Sequence, residues 1–393
     1  MKLSSAMSRL GTETAFEVLV RARALEAQGR EVVHLEIGEP DFDTPSNIIE
    51  AACKALHSGY THYGPAAGLP ALREAVAAEV SRSRKIKVTP DQVVVTPGGK
   101  PIMFYTILAL AEKGDEVMYP NPGFPIYESM INFVGAKPVP LPLLEEREFR
   151  VDTEYLRKKI TKKTKLIIIN SPHNPCGSML SKKDLKEIAD AAIEHDIPVL
   201  SDEIYCRDVY EGKFESITQF PGMPERTIIL DGFSKTYAMT GWRMGYGVMP
   251  ADFAAQVAKL QTNAASCTAS FSQMAGVEAL TGPQDEAHRM VAAFKERRDL
   301  IVKGLNEIPG IRCLLPKGAF YVFPNIKEAM KRGKFPTAKA FADALLQEAG
   351  VAALSGTAFG QYGEGYLRFS YANSIPNIKK ALQRIGEFVE KHK

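Results

Sequence analysis

Three observations predict an α/β fold built on a mostly parallel central sheet. Short apolar runs rich in β-branched residues alternate along the chain with helix-like stretches, the pattern of a parallel sheet covered on both faces. Several runs give way to polar residues with usable chemistry. Asp202 follows Pro198-Val199-Leu200, Asn174 comes after Leu166-Ile167-Ile168-Ile169, and Lys235 comes after Thr227-Ile228-Ile229-Leu230. Open α/β sheets bind ligands at the carboxyl ends of their strands. Finally, 393 residues are enough for two or three domains.

Along the chain, residues 14–28 are rich in Ala, Leu, Arg and Glu and predict a helix. Residues 32–35 are short and extended, leading into the turn Gly38-Glu39-Pro40-Asp41. Helices are expected over 46–58, ended by Gly59, and over 69–80. Val93-Val94-Val95 is a strand broken by Thr96-Pro97-Gly98-Gly99-Lys100, after which Pro101 can open a helix to residue 111. Further strands are expected at 116–119, ended by Pro120 and Pro122, and at 165–170, 198–201, 227–230 and 246–249. The helix between them, 182–194, has Ser181 and Asp184 as a modified capping pair and an apolar face of Leu185, Ile188, Ala189 and Ala192. Past residue 280 the texture changes to a charged helix (286–305), a strand (318–323), a helix (338–349), a strand (366–370) and a closing helix (378–389). The organisation expected is a large domain over 46–280 and a smaller α+β domain from 1–45 and 281–393.

Composition narrows the function classes. Lys and Arg number 49 against 46 Asp and Glu, a net charge of +3. That gives no reason to expect a nucleic-acid or membrane partner. No apolar run reaches the roughly 18 residues of a membrane span, and residues 1–13 lack a secretory apolar core, so a cytoplasmic location is expected. The five cysteines are scattered and form no Cys-x-x-Cys pair; they read as reduced thiols, not as a disulfide frame or a metal site.

The polar residues at the strand ends point to an aldehyde cofactor with a pyridine ring, pyridoxal 5'-phosphate. Taken alone, Lys235 reads as a surface lysine. In the company of Ser234 and Arg243 it reads as a buried amine, able to attach an aldehyde and then to act as a base. Ser234 and Arg243 suit phosphate oxygens. Asp202 is either a solvated strand-end carboxylate or the partner of a protonated ring nitrogen, with Glu203 its nearest competitor. Tyr205 and Asn174 suit the phenolic oxygen, with simple packing the alternative for Tyr205. Gly99 and Lys100 offer backbone N–H groups at a helix start, and the Lys100 side chain can instead face an acidic substrate group. Phe124 is either a core aromatic or a ring stacked on the cofactor. Arg368, inside an apolar strand, needs a partner: a substrate carboxylate or a protein acid. Phe320 is either core or an apolar wall of the same site.

The segments Asn170-Ser171-Pro172-His173-Asn174-Pro175-Cys176-Gly177, Ser201-Asp202-Glu203-Ile204-Tyr205, Ser234-Lys235-Thr236-Tyr237-Ala238-Met239-Thr240-Gly241-Trp242-Arg243 and Gly318-Ala319-Phe320-Tyr321 together resemble the class I/II aminotransferases of fold type I, particularly their aspartate aminotransferase-like branch. The resemblance covers nearly the whole chain. It implies Lys235 as the cofactor-attaching lysine, Asp202 as the ring-nitrogen partner, and Asn174 and Tyr205 at the phenolic oxygen. Ser234, Arg243, Gly99 and Lys100 would sit at the phosphate and Phe124 on the ring. Arg368, aided by Gly38 and Asn174, would hold the substrate carboxylate, and Lys100 would favour acidic side chains. Tyr63 would reach the phosphate of a neighbouring subunit, which implies a homodimer with shared sites. The expected reaction moves the amino group of an L-amino acid to a 2-oxo acid, 2-oxoglutarate foremost, by a ping-pong path, with aspartate the leading donor. Alanine or aromatic donors, or a β-lyase reaction, are the alternatives. A non-enzymatic effector sensor is disfavoured, because the match leaves no spare N-terminal domain and retains Lys235 and Asp202. Cys176, His173 and Lys317 depart from the family's common residues without removing a catalytic group; whether they alter the substrate wall is left open, and Cys176 reads first as a small loop filler.

Overall fold

The structure, a computed structural model, describes residues 1–393. Its strands run in chain order as β1 (Val33–His34), β2 (Val93–Thr96), β3 (Glu116–Asn121), β4 (Lys137–Pro142), β5 (Thr164–Asn170), β6 (Val199–Asp202), β7 (Thr227–Gly232), β8 (Gly245–Val248), β9 (Tyr321–Val322), β10 (Val351–Ala352), β11 (Leu354–Ser355) and β12 (Leu367–Ser370). Seven of them form the central sheet in the order β2-β8-β7-β6-β5-β3-β4. All run parallel except β8, which is antiparallel to both β2 and β7.

That one reversal matters for the site. A parallel crossover would carry the chain to the far edge of the sheet before the next strand. Here the segment after β7 turns straight back, so Lys235, just past β7, and Arg243, just before β8, stay on the same edge. The start of β8 also lies beside the end of β2, with Thr96 registered against Gly245. A Cβ on Gly245 would strike the Gly98–Gly99 peptide, so glycine is what lets these two turns touch.

The central strands are buried apart from Lys165 near the start of β5 because helices cover both faces. The helix Lys182–Glu194 shows how the sequence specifies such a cover. The Ser181 hydroxyl accepts from the Asp184 N–H at 3.1 Å, and the Asp184 carboxylate accepts from the Ser181 N–H at 2.8 Å, closing the capping box. Its Leu185, Ile188, Ala189 and Ala192 pack into one core with Ile167, Ile169 and Val199. Fully burying each leucine, isoleucine or valine of this set contributes roughly 1.5–3 kcal/mol.

A second, separate core gathers Phe294, Ile301, Phe320, Phe341, Phe369 and Phe388, with Val33 and Leu35 of the N-terminal region. It is framed by the helices Asp285–Asn306 and Ile375–Lys391 and by the antiparallel order β11-β12-β9. β1 joins this part by pairing with β10.

Several expectations are corrected. Pro120 does not end β3 but lies within it; it pairs with Leu141 of β4 alone, and β5 registers only as far as Met118, so its missing N–H costs no ladder bond there. The expected strand at 318–323 shrinks to Tyr321–Val322, because Ala319 takes a left-handed φ of 57°. The expected helix at 338–349 passes at Leu345 into a wider π-turn. No helix is long and apolar enough to cross a membrane.

Candidate active site

A cavity of about 530 Å³ opens at the carboxyl edge of the central sheet. It is lined by Gly38, Gly99, Lys100, Phe124, Asn174, Asp202, Tyr205, Ser234, Lys235, Arg243 and Arg368, eleven of the thirteen residues singled out in the sequence. They come from seven strand ends or loops distant in the chain, and the fold brings them to one place.

Lys235 Nζ donates to the Gly38 carbonyl at 2.6 Å. Burial pulls its pKa down to about 8, against the opposing pull of Glu39. Asp202 is pushed up to about 6 by burial, while the bond from Tyr127 holds it down. The Tyr127 hydroxyl donates to Asp202 Oδ2 at 2.6 Å, and the Ile204 N–H to Oδ1 at 3.2 Å. No cationic side chain is paired with Asp202, so a cationic ring nitrogen is the partner it lacks. Phe124 meets Tyr127 edge-on, centroids 5.7 Å apart, which ties the ring that can stack on a cofactor to the group that orients the carboxylate.

The anion seat lies at the start of the helix Lys100–Leu110, whose N-cap Gly99 has no side-chain cap. Its N–H groups are therefore available to a phosphate. Gly98 has φ 89°, and a Cβ there would collide with the Arg243 guanidinium. Arg243 donates to the Thr240 carbonyl at 2.7 Å and has no carboxylate partner. A helix N-terminus, an acid-free guanidinium and a low-pKa amine within one cavity fit a phosphorylated aldehyde with a basic ring.

Arg368 is 4% exposed. Its Nη1 donates to Asn174 Oδ1 at 3.2 Å and its Nη2 to the Glu36 carbonyl. Its Nε has no partner. The guanidinium lies between the rings of Tyr321 and Phe359, 4.5 and 4.9 Å from their centroids. Burial draws its pKa down, yet an arginine stays charged. A buried cation without an acid, facing a cavity, suits an incoming carboxylate.

Two sequence candidates lie elsewhere. Phe320 is core and does not line the cavity, although Lys235 Nζ lies 5.8 Å from its ring centroid. It sits behind the wall, edge-on to Tyr205 at 5.3 Å and against Phe294 at 5.2 Å. The left-handed Ala319 sets the parity of the short strand so that Tyr321 faces the cavity instead. Tyr321 is a residue that sequence reasoning missed. Its hydroxyl bonds that of Tyr205 at 2.7 Å and rests on the Cα of Gly38, where a Cβ could not fit. Tyr63 is 89% exposed and lies outside the cavity of its own chain. Cys176, His173 and Lys317 do not line the cavity either: the first two are buried, and Lys317 pairs with Glu148 at 3.0 Å. Tyr127 was also missed, although its i+3 spacing from Phe124 was the available signal. Glu13, Thr14 and Ala15 close the mouth, and Glu13 forms an ion pair with Lys100; nothing in their local sequence marks them.

The family model for aminotransferase class I and II matches residues 30–385. The chain belongs to this family. Its cofactor is pyridoxal 5'-phosphate, and its substrates are amino acids and 2-oxo acids. Similarity to individual aminotransferases extends over almost the full length. The aspartate aminotransferase of Pyrococcus abyssi is 43% identical over 368 residues, 93% of each chain. The aromatic-amino-acid aminotransferase 2 of Thermococcus litoralis is 42% identical over 372 residues, 93% of this chain and 94% of the relative. The solved aspartate aminotransferase of Thermus thermophilus with maleate superposes with a TM-score of 0.92 at 38% identity, covering 98% and 99% of the two chains.

Proposed function

We propose that this aminotransferase uses an acidic L-amino acid, aspartate foremost, as donor and 2-oxoglutarate as acceptor. The observation that carries the reading is the pairing of two cations in one cavity: Arg368, buried and without an acid, and Lys100 at the mouth, with only Glu13 as its anion. A dicarboxylate would satisfy both. A relative whose structure is described with maleate supports that class of ligand.

Bound pyridoxal 5'-phosphate supplies an electron sink that makes the α-proton of the amino acid removable. Lys235 would hold the cofactor covalently until the donor amino acid displaces it, and its freed amine would take the α-proton and return it one carbon away. Asp202 would keep the ring nitrogen cationic. Asn174, through its unengaged amide N–H groups, and Tyr205 would hold the phenolic oxygen. The N–H groups of Gly99 and Lys100, with Ser234 and Arg243, would hold the phosphate, and Phe124 would fix the ring plane. Arg368, with Asn174 and the Gly38 backbone, would orient the substrate carboxylate so that the breaking bond points out of the ring plane. Tyr63 would complete a partner's phosphate seat in a homodimer. We further assign the large domain to 46–280 and the small one to 1–45 with 281–393, and the location to the cytoplasm.

The deciding experiment is a donor-by-acceptor matrix scored by 2-oxo acid formation, combined with borohydride trapping and peptide mapping. Aspartate or glutamate with 2-oxoglutarate should give the highest kcat/KM, with the pyridoxyl group on Lys235. Pyruvate and ammonia release from cysteine conjugates, without amino transfer, would replace this reading with a β-lyase.

A further inference from the structure

Asp202 is one of three carboxylates crowded at this sheet edge. Glu203 follows it in the chain, and Asp231 follows Leu230, the residue registered against Asp202 on β7. All three are buried, but only Asp202 faces the cavity. The other two are bridged by one cation on the far side, with Arg207 a more distant neighbour of Asp231. Arg84, the last residue of the helix Pro70–Arg84, is 1% exposed. Its Nε donates to Glu203 Oε2 at 3.0 Å and its Nη2 to Asp231 Oδ2 at 2.9 Å.

The remaining lone pairs of these two acids are also occupied. Glu203 Oε1 accepts from Ser201 at 2.9 Å and Ser216 at 2.6 Å. Asp231 accepts from the Tyr246 hydroxyl at 2.9 Å and the Gly232 N–H at 2.7 Å. The Cys206 thiol lies 3.5 Å from Asp231, and Arg207 stands 3.6 Å from it while pairing with Glu79 at 2.9 Å. Facing Asp202 itself are the Tyr127 hydroxyl from the helix Pro125–Val134 and the titratable Tyr205 and Lys235 across the cavity.

We propose that Arg84 is a positioning residue for amino transfer: by engaging Glu203 and Asp231 together, it leaves Asp202 as the one carboxylate of the three that is charged and free to meet the cofactor's ring nitrogen. This rests on the assignment of Asp202 made above. The physical reason is mutual repulsion. Buried like charges oppose one another's ionisation, and Glu203 and Asp231 both act to raise the Asp202 pKa. Remove the guanidinium and Glu203 loses its one cation while Asp231 keeps only the more distant Arg207, so excess negative charge remains behind Asp202. It would then take up a proton at higher pH and lose its hold on a cationic ring.

The test compares Arg84→Met, the triple variant Arg84→Met/Glu203→Gln/Asp231→Asn, Arg84→Lys and Asp202→Asn in the full chain. Three quantities are measured from pH 5 to 9: pyridoxal 5'-phosphate binding by quenching of Trp242, the only tryptophan; the acid limb of kcat/KM; and Tm. Arg84→Met should move the acid limb up by about one pH unit and weaken cofactor binding below neutrality about tenfold. The triple variant, which removes the excess negative charge, should restore both. An acid limb that stays in place while Tm and kcat fall at every pH would make Arg84 merely structural and overturn the proposal. So would a triple variant that recovers Tm but not the limb. If Arg84→Met does not fold, Arg84→Lys decides: one ammonium cannot span both acids, so its limb should move, and an unmoved limb refutes the idea. Near-normal turnover in Asp202→Asn would instead reject the Asp202 assignment, whereas a collapse there beside an unmoved Arg84→Met limb rejects only the role of Arg84.

Discussion

Arg368 and Asn174, 194 residues apart in the chain, meet at 3.2 Å, the guanidinium donating to the amide oxygen. The contact fixes which way the Asn174 amide turns. With its oxygen taken by Arg368, its N–H groups are left for an anionic oxygen of the cofactor. The group that would grip the substrate thus also orients one that would touch the cofactor.

Replacing Arg368 with Lys should therefore damage both half-reactions. A lysine offers no planar fork and cannot reach Asn174 and a carboxylate together. The expected loss in kcat/KM is on the order of a hundredfold for every donor and for 2-oxoglutarate, with the fold retained by circular dichroism. A loss confined to one donor would show that Arg368 reads side chains and not the shared carboxylate.

Lys100→Ala should separate donors. Lys100 pairs with Glu13 and lies over Phe124 at 5.5 Å, so an acidic side chain must compete with Glu13 for it. Steady-state kinetics should show aspartate and glutamate losing roughly tenfold in kcat/KM, the scale of one exposed charge pair strengthened by a partly dry cavity. Alanine and phenylalanine should change little. Equal losses for all donors would remove Lys100 from substrate recognition.

The Lys235 amine makes the cofactor-free protein pH-sensitive. Its pKa of about 8 lies below the 10.5 of an unburied lysine. Between these values the unfolded chain binds more protons, so stability rises with pH through that window, and the full cost of burial is felt below pH 8. Lys235→Met should then stabilise the cofactor-free protein at pH 7, by about 1–2 kcal/mol because the amine faces an open cavity. In the wild type, cofactor loading followed by Trp242 quenching should slow about tenfold per unit below pH 8, since only the neutral amine attacks an aldehyde. A loading rate flat from pH 6 to 9 contradicts the assignment.

Tyr63 is tested by complementation. A Tyr63→Phe chain and a Lys235→Ala chain, each impaired alone, should form a mixed dimer with one intact site, in which the partner's Tyr63 meets the working lysine. Cofactor affinity in that site should return to the wild-type value. No recovery on mixing, with dimers present by sedimentation, would place Tyr63 outside the phosphate seat.

The sheet and the ends of its strands were legible in the sequence because burial on both faces leaves almost uninterrupted apolar runs, and because Asp202 ends one of them while Asn174 and Lys235 follow shortly after two others. The antiparallel β8 was not legible: Gly245-Tyr246-Gly247-Val248 carries no mark of direction, which is set by the sharp return after β7. Tyr321 was not legible because which residue of a short strand faces a cavity depends on where the strand starts, and a left-handed alanine at 319 sets that start. Glu13 and Arg84 were missed because their partners lie 87 and 119 residues away, and only tertiary structure brings such pairs together.

The reversal of β8 has an evolutionary corollary. The residues suited to the phosphate and the ring are pinned at both ends to strands of one sheet, whereas Glu13, Gly38, Tyr321 and Arg368 belong to the segments outside it. Mutations that retune which amino acid is accepted can therefore accumulate in those outer segments while the chemistry of the ring stays undisturbed. An ancestor with this layout could diversify its donors without ever passing through a form unable to hold its cofactor.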